Sequence, residues 1–238
     1  MISAQNTPNL AGVTISGDHL DFEQLYDAIH DILPDEGEDP IHEGARMRIL
    51  GFCYDLRHAM MGHREFTYVD NGLDEDKMRF LGAVGSTKNL YFSFNTLYPE
   101  MLFVMMALNH YTEKNEYSGR RPGLNPSVAT VIKLQSAVWS CLEETLSTQK
   151  YLNTIRSINH AGDLVLYTTQ YVDMLNLRYL KWDVEKREKN ISIIAKRLSE
   201  QGDEYQTVKR EVLEAAAENH CWPEQIQLAE DYPEEIEW

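Results

Sequence analysis

The sequence predicts an α+β fold, with a small antiparallel sheet of three to four strands packed by helices in the N-terminal half and a mostly helical C-terminal half. Three observations carry this expectation. Between Arg64 and Phe94 short alternating apolar runs are separated by turn signals; the residues after Pro99 are apolar on all sides; and from Ser127 onward apolar residues recur at steps of three and four.

Taken in order, Ala11 to Ser16 alternates around β-branched Val13 and Ile15 and stops at Gly17, which reads as a short strand. Asp21 is placed to cap the helix that follows, whose inner face is Phe22, Leu25, Tyr26 and Ile29 and whose end is marked by Pro34 and Gly37. A second helix starts at Asp39-Pro40, a capping acid before a proline in the first turn, and stops at Gly62. Its apolar stripe is Ala45, Ile49, Phe52, Cys53, Leu56 and Met60, broad enough to pack on a sheet.

Strands are then expected at Phe66 to Val69, at Met78 to Val84, and through Leu90, Phe92 and Phe94, with turns at Asp70-Asn71-Gly72 and Gly85 to Lys88. Such short connections make neighbours antiparallel. Met101 to Leu108 is apolar all round, so its helix is central rather than superficial. The polar stretch TEKNEYSGRRPGLNP separates the halves. This divides the chain into an α+β region (1–114), a connecting loop (115–126), a helical region (127–221) and an acidic tail (222–238), read together as one integrated unit.

In the helical region Val128, Val131, Leu134, Val138, Leu142 and Leu146 keep helical spacing, and so do Val172, Leu175, Tyr179 and Trp182. The last four suit a bundle core or a short coiled-coil seam, and a homodimer through the Val172 to Trp182 face is an expectation. The charged stretch DVEKREKN is expected to continue that helix with a solvated face. The tail, AEDYPEEIEW, is either a docking segment or a loose terminus.

Composition excludes some classes. The 38 acidic residues against 22 basic ones leave a formal charge of −16, which repels phosphate backbones and anionic headgroups, so neither nucleic acid nor membrane is an expected partner. No apolar run reaches the roughly 18 to 20 residues that span a bilayer, and MISAQNTPNL lacks the basic start and apolar core of a signal peptide. Cys53, Cys141 and Cys221 are odd in number and widely spaced, as reduced thiols in a cytoplasm would be. P-loop, dinucleotide, nucleophile-elbow and zincin motifs are all missing from the sequence, and no cofactor is expected.

Candidate groups concentrate near the second helix. Asp27 with His30, Asp39 with His42, and Asp55 with His58 share an Asp-x-x-His spacing that puts carboxylate and imidazole on one helical face, a pattern suited to metal ligation or acid-base work. Asp27 and His30 lie opposite the apolar face of their helix, and Asp39 is read as a cap, which leaves Asp55 and His58 as catalytic candidates and no expected metal site. Arg48 and Arg57 are candidates for binding a small anion. Arg46 and Arg57, eleven residues apart, stand about 16 Å apart along the axis, so no small anion touches both. Arg57, His58, His63 and Arg64 also complement the helix's C-terminal dipole. The basic loop Ser118 to Gly123 reads as a connection.

The segments NTPNLAGVTISGD, EGARMRILGFCYDLRHA, FTYVDNG and NLYFSFNTLYPEMLFVMMALNHY together resemble an uncharacterised bacterial protein family, carried as a domain of unknown function of about this length. The resemblance implies a bacterial cytoplasmic protein and brings no activity or residue role. The functional expectation is a non-catalytic binding or protein-interaction module. Its rival is an enzyme or small-anion-binding protein using a cleft beside the second helix, with Arg48, Asp55, Arg57 and His58.

Overall fold

The computed structural model describes residues 1–116, 124–160 and 164–238. Its sheet contains β1 (Ser3–Asn6), β2 (Gly12–Gly17), β3 (Glu65–Asp70) and β4 (Lys88–Leu97), all antiparallel, in the order β1-β2-β4-β3. The helices are α1 (His19–Ile32), α2 (Glu43–Met60), α3 (Glu75–Leu81), α4 (Tyr98–Glu116), α5 (Pro126–Thr145), α6 (Thr148–Asn159), α7 (Gln170–Leu180), α8 (Val184–Glu200) and α9 (Asp203–Asn219). The α+β class and the helical second half are as the patterning predicts.

Alternation on β2 turns Val13 and Ile15 inward, and Ile15 pairs with Phe94 of β4. Phe94 then meets Phe22 of α1 and Phe52 of α2 at ring separations of 5.9 and 5.2 Å, so sheet and helices share one apolar layer. Gly12 is required here: a Cβ at that position would sit 1.9 Å from the Thr96 carbonyl oxygen across the β2–β4 pair. Every residue from Met101 to Leu108 on α4 is buried, and the apolar cluster around it runs from Val13 to Val212, joining both halves of the chain.

Several local expectations are overturned. Met78 to Val84 is not a strand: Asp74 caps α3 by accepting from the Lys77 amide (2.8 Å), Glu75 and Asp76 occupy the first turn, and Gly82 closes the helix with φ 62°. These end signals outweigh a weak two-residue alternation. β1 was not anticipated, its sequence SAQN carrying no apolar pattern. The cap of α1 is Asp18, in a reciprocal capping box with Asp21.

Nor does Asp39 cap α2. Pro40–His42 forms a single 3-10 turn before it, and the Asp39 side chain makes no capping bond. The α7 helix does not run on through DVEKREKN, because Asp183 starts α8 by accepting from the Lys186 amide (2.8 Å). On α8 the expected solvated face includes a buried residue, Arg187, which donates to the carbonyls of Asn9 (2.8 Å), Leu180 (2.9 Å) and Tyr179 (3.3 Å). It fastens the β1–β2 turn to the end of α7.

Val172, Leu175 and Tyr179 are buried within this chain and Trp182 is partly buried against the same core, so the face expected to pair two copies is already covered. The tail also folds back. Gln170 Nε2 donates to the carbonyls of Pro223 (2.7 Å) and Ile226 (2.8 Å), Lys181 pairs with Glu230 (2.6 Å), and the Asn9 amide donates to the Trp238 carbonyl (3.0 Å). The Ser118 to Gly123 loop lies outside the described residues.

Candidate functional site

The sequence-derived candidates on α2 separate in space. Asp55 accepts from Arg64 (2.7 Å), both side chains being 38% exposed. His58 instead lies within 3.2 Å of His63 Nδ1 and stacks on Tyr54 at 4.1 Å. Arg57 is exposed, outside the lining of the cavities described below. Asp55 and His58 therefore face different partners.

Arg48 alone enters a closed network. It donates to Glu100 Oε2 at the start of α4 (3.0 Å), to the Thr169 carbonyl (2.9 Å) and to Asp173 Oδ2 on α7. Asn176 Nδ2 adds bonds to Glu100 Oε2 and to the Tyr232 hydroxyl, both 3.0 Å, and that hydroxyl donates to Asp173 Oδ1 (2.9 Å). Two carboxylates thus share one guanidinium. Burial raises the Glu100 carboxyl above its ordinary value and the nearby Asp173 charge adds to this, outweighing Arg48 and Asn176. Among the described residues Asn176 Oδ1 is buried with no hydrogen-bond partner.

Tyr232 and its network form the wall between two cavities under the returning tail. One, of about 620 Å³, is lined by Phe52, Asp55, Arg64, Asn95, Glu100 and Trp238; the other, of about 440 Å³, by Met47, Arg48, Asp173, Leu228 and Asp231 among others. With its guanidinium committed to three acceptors, Arg48 has little left for an incoming anion. The cleft offers acceptors instead. Sequence reasoning missed Glu100, Asp173, Asn176 and Tyr232, although a lone acid directly after Pro99, opening an otherwise apolar helix, was a signal.

A second feature is larger. From Met61 to Tyr91 no residue is buried, and this stretch comprises β3, α3 and the first part of β4. It projects as an arm from the sheet. Large apolar side chains stand open on it: Phe66, Tyr68, Val69 and Leu81, with Phe80 at 90% and Val84 at 101% exposure. β3 is an edge strand, paired with β4 alone. A seven-residue helix with no buried side chain has no packing to support it, since isolated helices shorter than about 12 to 15 residues are marginal in water.

A third cluster joins the 3-10 turn to α4. Asp39 Oδ1 lies 2.8 Å from His42 Nδ1, and Asp39 Oδ2 accepts from Lys114 (2.6 Å). The imidazoles of His42 and His110 face each other at 4.3 Å. Burial works to raise the Asp39 carboxyl, but the bonds and charges of Lys114 and His42 outweigh it and hold it below its ordinary value.

Compared with known proteins, residues 2–238 match the model of a family described as a domain of unknown function (DUF6904), and the chain belongs to that family. No curated protein matches, and no solved structure matches.

Proposed function

We propose that this member of the DUF6904 family is a non-catalytic protein-interaction module whose docking element is the arm from Met61 to Tyr91. The observation that carries this is the combination of fully exposed Phe80 and Val84 with a helix that buries nothing of its own. Large apolar side chains left this open, close together in the chain and without core contacts, mark a place that a partner covers. Each of Phe80, Leu81 and Val84 would contribute roughly 1.5 to 3 kcal/mol on full burial.

The partner proposed is a second copy of this chain. Between Arg64 and Lys88 there are four basic and five acidic side chains, so the arm is nearly neutral on a molecule of charge −16 and is where two copies repel least. An edge strand also permits antiparallel β3–β3 pairing about a two-fold axis. Light scattering at micromolar concentration should give a dimer for the native chain and a monomer for Phe80→Glu/Val84→Glu with unchanged circular dichroism. A native chain that stays monomeric at 100 µM would contradict it.

A second reading places a small ligand in the cleft beside α2, non-catalytically and with the charge preference reversed from the sequence expectation. Its support is the unpartnered Asn176 Oδ1 beside Glu100 and Asp173, which share Arg48. These are acceptors, suited to an amine cation. Calorimetry should detect binding of a small diamine, weakened in Glu100→Gln, and none of a small dicarboxylate; the reverse preference would restore the anion reading.

A further inference from the structure

The Asp-x-x-His pair that the sequence reading set aside as a helix cap is completed by a residue from a distant helix. Asp39 and His42 come from one 3-10 turn, and His110 comes from α4; one ligand atom of each lies within 4.8 Å of the other two. Asp39 and His42 are both 8% exposed, while His110 is partly open to solvent. From these residues we infer a divalent transition-metal site, with Asp39, His42 and His110 as ligands and a fourth position open to water.

The donor chemistry fits a borderline ion. Two imidazoles and one carboxylate form a set that zinc takes at about 2.0 to 2.2 Å, with an added water completing a tetrahedron. Ligand atoms around such an ion stand about 3.3 Å apart. Asp39 Oδ1 and His42 Nδ1, now 2.8 Å apart, exchange their hydrogen bond for the ion and part by about half an ångström, while no pair of the three ligands, all within 4.8 Å of one another, has to close by more than about 1.5 Å. The supports are in place for that. The His42 carbonyl accepts from the Tyr111 hydroxyl (3.3 Å), and the Ile41 carbonyl beside it accepts from the Leu166 amide (2.6 Å), which anchors the turn at α4 and at the approach to α7.

Lys114 is itself a cation beside this cluster, yet it engages the far oxygen of the carboxylate. Lys114 holds Asp39 Oδ2, whereas Oδ1 faces His42, so an ion can sit on the imidazole side while the ammonium stays as an outer partner that orients its ligand. The Lys114 side chain is 53% exposed and can swing outward. The strongly acidic molecule raises the local concentration of cations around the site.

The test uses the full chain after chelator treatment and dialysis, titrated with zinc(II) alone by calorimetry and with cobalt(II) by visible absorption. The expected result is one ion per chain with micromolar or tighter affinity, and a cobalt spectrum of the intense four-coordinate type. His110→Gln and Asp39→Asn should each weaken zinc at least tenfold while far-ultraviolet circular dichroism is retained. His63→Gln, which removes a partner from the exposed His58–His63 pair, should leave the affinity unchanged. Should His110→Gln misfold, Asp39→Asn and the cobalt spectrum of the native chain still decide. Absence of saturable one-to-one binding, a six-coordinate cobalt spectrum, or loss of binding in His63→Gln alone would overturn the site.

Discussion

The two ends of β4 live in different surroundings although they belong to one strand. From Phe92 to Leu97 it lies between β2 and the helices, with Phe92, Phe94 and Leu97 buried; from Lys88 to Tyr91 it carries the arm, is paired with β3, and has no buried residue, Leu90 alone packing partly against the core. The backbone ladder is continuous across both. What changes is whether a second layer of helix covers the face. Hydrogen bonding alone thus extends a strand, while stability is concentrated where apolar side chains are removed from water.

The same contrast holds for ions. Arg48, Glu100 and Asp173 are largely buried, with 19%, 18% and 26% of their side chains exposed, whereas Arg79 and Asp76 on α3 pair at 3.0 Å with 76% and 91% of their side chains exposed. A pair of the latter sort contributes roughly 0 to 1 kcal/mol. Enclosed charges shape their surroundings much more strongly.

The core side of this comparison should respond most. Phe103 is fully buried on α4 and stacks on Tyr167 at 5.0 Å, so Phe103→Ala should lower stability by about 3 to 5 kcal/mol in urea denaturation. A loss below about 1 kcal/mol would mean that α4 is not the packed centre.

An intermediate effect is expected at Glu100, and it depends on pH. Because its folded-state carboxyl is raised, the folded protein binds a proton there more readily than the unfolded chain does. Stability from this group is therefore greatest at low pH and falls as pH rises from the ordinary carboxyl value through the raised one. Relative to Glu100→Gln, which does not titrate, the native chain should lose urea midpoint over that interval. A difference that is flat, or that grows with pH, would show Glu100 to be well compensated by Arg48.

The smallest effect belongs to the arm. In dilute solution, where copies are separated, Phe80→Ser should change stability by no more than about 0.5 kcal/mol, because the ring meets solvent on nearly every side. A loss comparable to that of Phe103→Ala would mean that the arm packs on the core, and the division along β4 would fail.

Much of the fold was legible because the relevant physics is local. Helical spacing marked the stripes of α2, α4 and α5, proline and glycine marked ends, and alternation marked β2, β3 and the buried part of β4. Local signals also carried information that was misread: Asp74, the acids after it and Gly82 spell a short helix more clearly than Met78 to Val84 spells a strand. β1 could not be read this way, since SAQN owes its conformation to pairing with β2.

The candidate sites were less legible, for a reason of distance along the chain. Arg48 was singled out from the sequence, but its partners come from α4, from α7 and from Thr169 just before it, and the tail adds Tyr232 to the same network through Asp173. Asp39 with His42 is a pattern of two residues, which sequence spacing can propose; that His110 faces them from α4 depends on how the helices pack.

By itself, then, the sequence determined the fold class, most helix positions and the acidic, apolar-cored character of the chain, because periodicity, capping and net charge act over a few residues or sum over all of them. Only the tertiary structure decided which charges meet, that Arg187 is buried, that the Val172 to Trp182 face is interior, and that the arm is left bare. Those outcomes depend on which surfaces are brought together across long stretches of chain, and burial and charge pairing exist only once they are.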